Sequence, residues 1–178
     1  MNNLIFRQVR ILDGSGGAEF IGDVSVREGR INEVGVVTEG LAPGGREISA
    51  DGAVLCPGLI DTHAHDDGAF FRHPGMEFKL SQGVTTVVSG NCGFSAIPAD
   101  PTKDSVAASG GILAGLEGKF TDLDGYYAAA LARAPAINNM MLVGHNTVRS
   151  LVMGDSKSAP NDLQLQEMQR HVTHALEQ

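Results

Sequence analysis

The chain has 178 residues, with 13 Lys+Arg against 21 Asp+Glu and a formal net charge of −8; 42% of residues are hydrophobic, 5% are aromatic and none is Trp. That length leads one to expect about one domain with a real core. An acidic balance without a run of Lys or Arg argues against nucleic acid or an anionic membrane surface as a partner. Two cysteines cannot build a disulfide framework. Leu4-Ile5-Phe6 is too short for a secretory signal, and no stretch approaches the roughly 18 apolar residues of a membrane span. The expectation is a soluble, cytoplasmic chain.

Residues 1–57 read as β-structure. Leu4-Ile5-Phe6 and Val9-Arg10-Ile11-Leu12 are two β-rich runs, followed by the breaker Asp13-Gly14-Ser15-Gly16-Gly17. Asp23 to Arg27 alternates apolar with polar, Glu28-Gly29 signals a hairpin turn, and Arg30 to Val34 forms the return strand. Glu47-Ile48 and Ala53-Val54-Leu55 are further short strands. Strands with one apolar face need a partner layer, so this segment is expected to be half of a small sandwich or barrel.

After Pro57 the rhythm changes to βαβαβα. Gly58 to His63 is a short apolar run with a polar end. A helix is expected over Met76 to Gln82, stopped at Gly83. Val84-Thr85-Thr86-Val87-Val88 and Asn139-Met140-Met141-Leu142-Val143 do not alternate and read as strands covered on both faces. Thr121 to Ala134 reads as a helix with Thr121 and Asp124 in capping-box spacing and Leu123, Tyr127 and Leu131 on one face. A last helix is expected from Pro160 to Glu177, with Leu165, Met168, Val172 and Leu176 recurring at helical spacing. Such an order implies parallel strands joined by right-handed crossovers. The Gly/Ala-rich stretch between Ser89 and Gly118 reads as a long loop at the strand ends, where α/β folds place their sites.

His63-Ala64-His65 stands at the end of the first parallel strand. Residues two apart in extended backbone project the same way, so both imidazoles can meet one divalent ion. A bare His-x-His is about as often an accident of a solvated loop. Cys92, in Gly90-Asn91-Cys92-Gly93, follows the neighbouring strand and could add a thiolate; the alternative is an inert buried cysteine. Cys56 reads as packing only. Asp61 faces the same side as the histidines as a ligand or an orienter of one, Asp66 and Asp67 add oxygen ligands nearby, and His145 is a ligand, a substrate donor or a structural rim histidine; with Asn91 and Arg149 these are the further candidates for lining or supporting a substrate site. His145 is expected to close the third strand on the same rim, and Arg149 to be either a carboxylate partner or a surface charge.

Pro57-Gly58-Leu59-Ile60-Asp61-Thr62-His63-Ala64-His65 resembles the metal-binding opening of the amidohydrolase superfamily. With His65-Asp66-Asp67, Gln82 to Val88, Gly90-Asn91-Cys92-Gly93 and Val143-Gly144-His145-Asn146-Thr147-Val148-Arg149, the chain is similar to the D-aminoacylases, or N-acyl-D-amino-acid deacylases. The resemblance implies an incomplete α/β fold. Residues 1–57 would be the N-terminal segment of a small β-sandwich, and residues 58–178 the first three βα units of a TIM-like β/α barrel. It also implies His63, His65 and Cys92 as ligands of one or two Zn2+ ions, and hydrolysis of an N-acyl-D-amino acid to a D-amino acid and a carboxylate. The family's remaining zinc histidines and its catalytic Asp belong to later strands, beyond Gln178. The expectation is therefore an N-terminal fragment, inactive alone and weak in zinc binding. Competing readings are a cyclic amide hydrolase, a deaminase, or a non-catalytic assembly protein on the same scaffold.

Overall fold

Alternation in the first segment produces one mixed sheet. In the computed structural model, which describes residues 3–102, 113, 116 and 118–178, the chain divides into two compact units, Met1–Pro57 and Gly58–Gln178. The first holds β1 (Leu4–Ile11), β2 (Phe20–Arg27), β3 (Arg30–Gly35), β4 (Arg46–Ser49) and β5 (Val54–Leu55). Their order is β3-β2-β1-β4, with β5 also on β1; β1–β2 and β2–β3 are antiparallel, whereas β4 and β5 run parallel to β1.

The two β-rich runs expected at the start are one strand, interrupted by a bulge. Register slips between Phe6 and Val9, where Gln8 takes φ +55° and its N–H donates to Asp23 Oδ1 at 2.9 Å. The Glu28-Gly29 turn has positive φ at both residues, 50° and 77°, as a tight hairpin between twisted strands requires. Val9, Ile11 and Val24 form the small buried cluster of this unit.

The second unit opens with β6 (Leu59–Asp61), α1 (Ala69–Arg72) and α2 (Glu77–Leu80). Then follow β7 (Val84–Ser89), a single 3-10 turn at Asn91–Gly93, α3 (Leu123–Leu131), β8 (Asn138–Met141), α4 (His145–Met153) and α5 (Asp162–Leu176). β6, β7 and β8 are parallel neighbours in that order. Phe70, Phe71, Met76, Val87, Ile97 and Tyr126 anchor the core. Phe71 stacks on Phe120 at 5.4 Å between ring centroids and meets Tyr126 edge-on at 5.5 Å.

Several expectations are corrected here. The helix expected over Met76 to Gln82 is shorter, because Met76 lies in the left-handed region at φ 46° and precedes it. In α3 the cap is Asp122, which accepts from the Gly125 N–H. Its buried residues are Tyr126 and Ala130; of the expected stripe, Leu123 and Tyr127 are partly buried against the core, while Leu131 is 68% exposed. Neither α1 nor α4 was expected, since α1 has four residues and α4 lacks a flanking cap. β8, expected to be covered on both faces, is not: Met140 is 60% exposed, and so is Ile60 of β6 at 62%, as in the outer strands of a three-stranded sheet. In α5, capped by a reciprocal Asn161–Gln164 box, Met168 is buried whereas Leu165, Val172 and Leu176 are exposed. Much of the long loop expected between Ser89 and Gly118 lies outside the described residues. Among the described residues no helix is long and apolar enough to cross a membrane.

A chain of buried polar groups joins the strand ends of this unit. Ser89 Oγ donates to Asn139 Oδ1 at 2.8 Å, and Asn139 Nδ2 donates to the Tyr126 hydroxyl at 3.2 Å. That hydroxyl donates in turn to the Asp67 carbonyl at 2.9 Å. The Asp67 carboxylate accepts the Ala96 N–H at 2.9 Å and the Gly90 N–H at 3.4 Å. Ser89, Asp67 and Tyr126 are all fully buried, so a lost partner cannot be replaced by water. Tyr126→Phe keeps the ring packing but strands the Asp67 carbonyl and the Asn139 amide. It is expected to destabilise the fold by about 1–3 kcal/mol, read as a lower denaturant midpoint with an unchanged slope.

Candidate metal centre

The positions of His63 and His65 follow from the residue between them. Ala64 N–H donates to the Val88 carbonyl of β7 at 3.0 Å, and its own carbonyl accepts from Asn91 Nδ2 at 3.4 Å. Its methyl group is buried, with 3% exposure. β6 stops at Asp61, so the histidines stand just past the strand, at and after a bend at Thr62 and His63, rather than in it; Ala64 is turned into the core, and the imidazoles lie on either side of it in the chain. Their ring centroids are 5.6 Å apart, inclined at 75°.

Cys92 reaches the same place from the end of β7. Asn91 Nδ2 also donates to Val88 O at 2.8 Å, which closes a tight turn. Cys92 takes φ 56°, between Gly90 at 79° and Gly93 at 82°. The turn packs against the segment after β8 so closely that a Cβ on Gly90 would stand 2.1 Å from the Leu142 carbonyl oxygen. Asn146 Nδ2 donates to the Cys92 carbonyl at 3.3 Å. Ser95 Oγ accepts the Gly144 N–H at 2.9 Å, and the Ser95 N–H donates to Thr147 Oγ1 at 2.9 Å. A non-glycine residue held in left-handed backbone by so many neighbours is the kind of strain found at functional positions.

His63 Nε2 and Cys92 Sγ are 3.3 Å apart, and one donor atom from each of His63, His65 and Cys92 lies within 4.8 Å of the other two. Ligand atoms around a tetrahedral zinc stand about 3.3–3.8 Å apart, so the three side chains need to close by only about 1 Å. His65 Nδ1 is buried without a hydrogen-bond partner. Two imidazoles and a thiol, with one buried ring nitrogen unpaired, fit a borderline divalent cation such as zinc.

Acidic residues bracket the histidines. Asp61 Oδ1 accepts the His63 N–H at 3.1 Å, and Asp61 Oδ2 accepts from Lys79 Nζ at 2.7 Å. The same ammonium stands 2.9 Å from Asp66 Oδ2. The Lys79 hydrogen bond, then the His63 N–H, hold the Asp61 carboxyl below its usual range. Burial lowers the pKa of Lys79, but the bonds to both carboxylates outweigh it and the net shift is upward. Lys79 was not among the residues singled out from sequence; no periodic or motif signal connects it to Asp61.

The other candidates separate by location. Asp67 is wholly buried in the polar chain between strand ends, where burial raises its carboxyl pKa; its contacts support the loops. Asn91 ties the Cys92 turn to Ala64. His145 does not close the third strand, because β8 stops at Met141; it is the exposed first residue of α4. Arg149 donates from Nη2 to the carbonyls of Ser156 and Ser158, at 2.9 and 2.7 Å, and secures the loop after α4. Cys56, expected to pack, is exposed.

Comparison with known proteins places this geometry in context. The amidohydrolase family profile matches residues 46–177. The N-acyl-D-glutamate deacylase of Alcaligenes xylosoxydans xylosoxydans is 41% identical over 167 residues, covering 94% of this chain and 33% of that protein. A crystal structure of N-acyl-D-glutamate deacylase from Bordetella bronchiseptica is complexed with zinc and a phosphonate that mimics the tetrahedral intermediate. It matches with a TM-score of 0.84 at 38% identity, over 98% of this chain and 36% of that one. A D-aminoacylase structure, reported for its binuclear metal centre, matches with a TM-score of 0.82 at 36% identity, again over 98% and 36%. The chain spans about a third of the length of the curated relatives it matches. A profile match over that much of the chain, joined by relatives of this similarity, establishes that the chain belongs to the amidohydrolase family.

Proposed function

We propose that this chain supplies the opening of the metal centre of an N-acyl-D-amino-acid deacylase, with one or two zinc ions held by His63, His65 and Cys92. The observation that carries the reading is the approach of three donor atoms to within 4.8 Å of one another from two neighbouring strand ends. The similarity to N-acyl-D-glutamate deacylase and D-aminoacylase supports the substrate class. In the same reading, Met1–Pro57 is the N-terminal segment of a small sandwich and Gly58–Gln178 is the first three βα units of a TIM-like barrel.

When bound, such a cation supplies Lewis acidity at the amide carbonyl and a water acidified to a pKa of about 7. The chain's own residues prepare the place. Cys92 would hold the cation through its sulfur, beside the imidazoles of His63 and His65. Asp61 fixes His63 through its backbone N–H, and Asn91 fixes the two strand ends to each other. Hydrolysis also needs a group that takes a proton from water and returns it to the leaving amine. Asp61 and Asp66 are engaged with Lys79, and Asp67 with two backbone amides. We therefore assign that role to a carboxylate of a later strand, outside these 178 residues.

The 178-residue chain alone is expected to release no amine from N-acetyl-D-methionine or N-acetyl-D-glutamate, whereas a protein continuing through all eight strands hydrolyses one or both. Turnover by the short chain, or opening of a cyclic amide by the long protein in place of either linear substrate, would overturn the reading. In the long protein, Cys92→Ala is expected to lose bound metal and rate together, by more than the roughly 10–100-fold that a non-ligand neighbour costs. Metal counted by mass spectrometry alongside amine release checks this; full metal and full rate in Cys92→Ala would remove the thiolate from the centre.

A further inference from the structure

The carboxylate of Asp67 grips both ends of the turn that carries Cys92. Its Oδ1 accepts the Ala96 N–H at 2.9 Å and its Oδ2 accepts the Gly90 N–H at 3.4 Å. Gly90, two positions before Cys92, and Ala96, four positions after it, are thus drawn to one side chain. Asp67 itself follows His65 by two positions, so the residue that closes the Cys92 turn belongs to the segment that carries both histidines. Asp67 is 0% exposed and Ala96 2%, and burial keeps water from competing for these bonds.

Other bonds of the turn run elsewhere. Asn146 Nδ2 donates to the Cys92 carbonyl, the Ser95 N–H donates to Thr147 Oγ1, and Ser95 Oγ accepts the Gly144 N–H. All three tie the turn to the segment after β8 and not to the histidines. Asn91 Nδ2 does reach the Ala64 carbonyl, at 3.4 Å, but it grips the turn only near its start. The left-handed backbone of Cys92, at φ 56°, is disfavoured for a residue with a Cβ and persists where its neighbours over-determine it. A bracket across both ends of the turn meets that need, and it ties the place of the sulfur to that of the two rings.

We propose that Asp67 is a positioning residue of the metal centre, which sets Cys92 Sγ relative to His63 and His65 by holding the turn of residues 90–96 closed. This inference rests on the reading of His63, His65 and Cys92 as metal ligands. Asp67 acts through main-chain amides and touches neither ion nor substrate. A carboxylate suits the task because both of its oxygens accept, whereas a side-chain amide offers one acceptor and turns a donor toward the other N–H.

The test uses the full-length protein that carries this chain, loaded with Co2+. Its near-ultraviolet sulfur-to-cobalt absorption, assigned by its loss in Cys92→Ala, reports the bond to Cys92 separately from stability and turnover. Asp67→Asn is expected to lower Co2+ affinity by about tenfold or more and to weaken that absorption per bound cobalt. Tyr126→Phe loses the bond to the Asp67 carbonyl but keeps both carboxylate bonds; it destabilises the same unit and is expected to hold the wild-type affinity and absorption. Asp67→Asn that is merely less stable, with both readings unchanged in the folded protein, overturns the proposal, and so does Tyr126→Phe that loses them to the same degree. Should Asp67→Asn fail to fold, Asp67→Glu decides, because its carboxylate stands one methylene further out and displaces the turn: a weakened absorption supports the bracket, and an unchanged one overturns it. Wild-type protein that binds Co2+ without the sulfur absorption, or binds none, overturns the metal-centre reading itself, an outcome distinct from a wild-type absorption that Asp67→Asn leaves unmoved.

Discussion

Polar groups with no access to water must bond to one another, and the parallel unit depends on that constraint. Ser89, Asn139, Tyr126 and Asp67 form one continuous relay between the ends of β7 and β8, helix α3 and the loop after β6. Asp67 then passes the constraint to the backbone of Gly90 and Ala96. Ser89, Tyr126 and Asp67 are fully buried and are satisfied only if their partners keep their places, since desolvation leaves no substitute. Apolar packing around Phe71 and Tyr126 gives the unit cohesion, whereas the relay gives its loops a defined register.

That register is what makes the three donor side chains neighbours. Ala64 and Asn91 form the local expression of it, a backbone bond and an amide bond that hold the β6 and β7 ends side by side. His63 and Cys92 are tied into these loops through their backbone groups, by Asp61 and Asn146, which leaves their side chains free to face each other. Separation of scaffold from reactive groups in this way is how a fold tolerates an unpaired imidazole nitrogen and a left-handed cysteine in one small region.

Much of this was legible in the sequence where the physics is local. The Glu28-Gly29 turn, the non-alternating β7, and the long helix α5 each declare themselves within a few residues. The His-x-His spacing and the glycines around Cys92 likewise carried the candidate donors. What was not legible is set by partners far along the chain. Asp67 reads as a candidate site carboxylate until Tyr126, 59 positions later, covers it. Lys79 looks like an ordinary helix charge until Asp61 and Asp66 converge on it. The stripe expected for α3 missed its most buried member for the same reason: Leu123 and Tyr127 do pack on the core, but Tyr126 is buried by an aromatic cluster assembled from Phe71 and Phe120. The exposed faces of β6 and β8 reflect sheet position, which no pattern within a strand encodes.

The backbone at Cys92 narrows the routes by which this corner of the molecule can diversify. At φ 56°, β-branched and bulky side chains pay a conformational penalty, whereas Asn, Asp and Gly adopt the left-handed region with comparative ease. Of those three only aspartate carries a carboxylate. In the proposed centre, aspartate would therefore be the exchange at this position that replaces sulfur by a carboxylate oxygen with the least backbone strain.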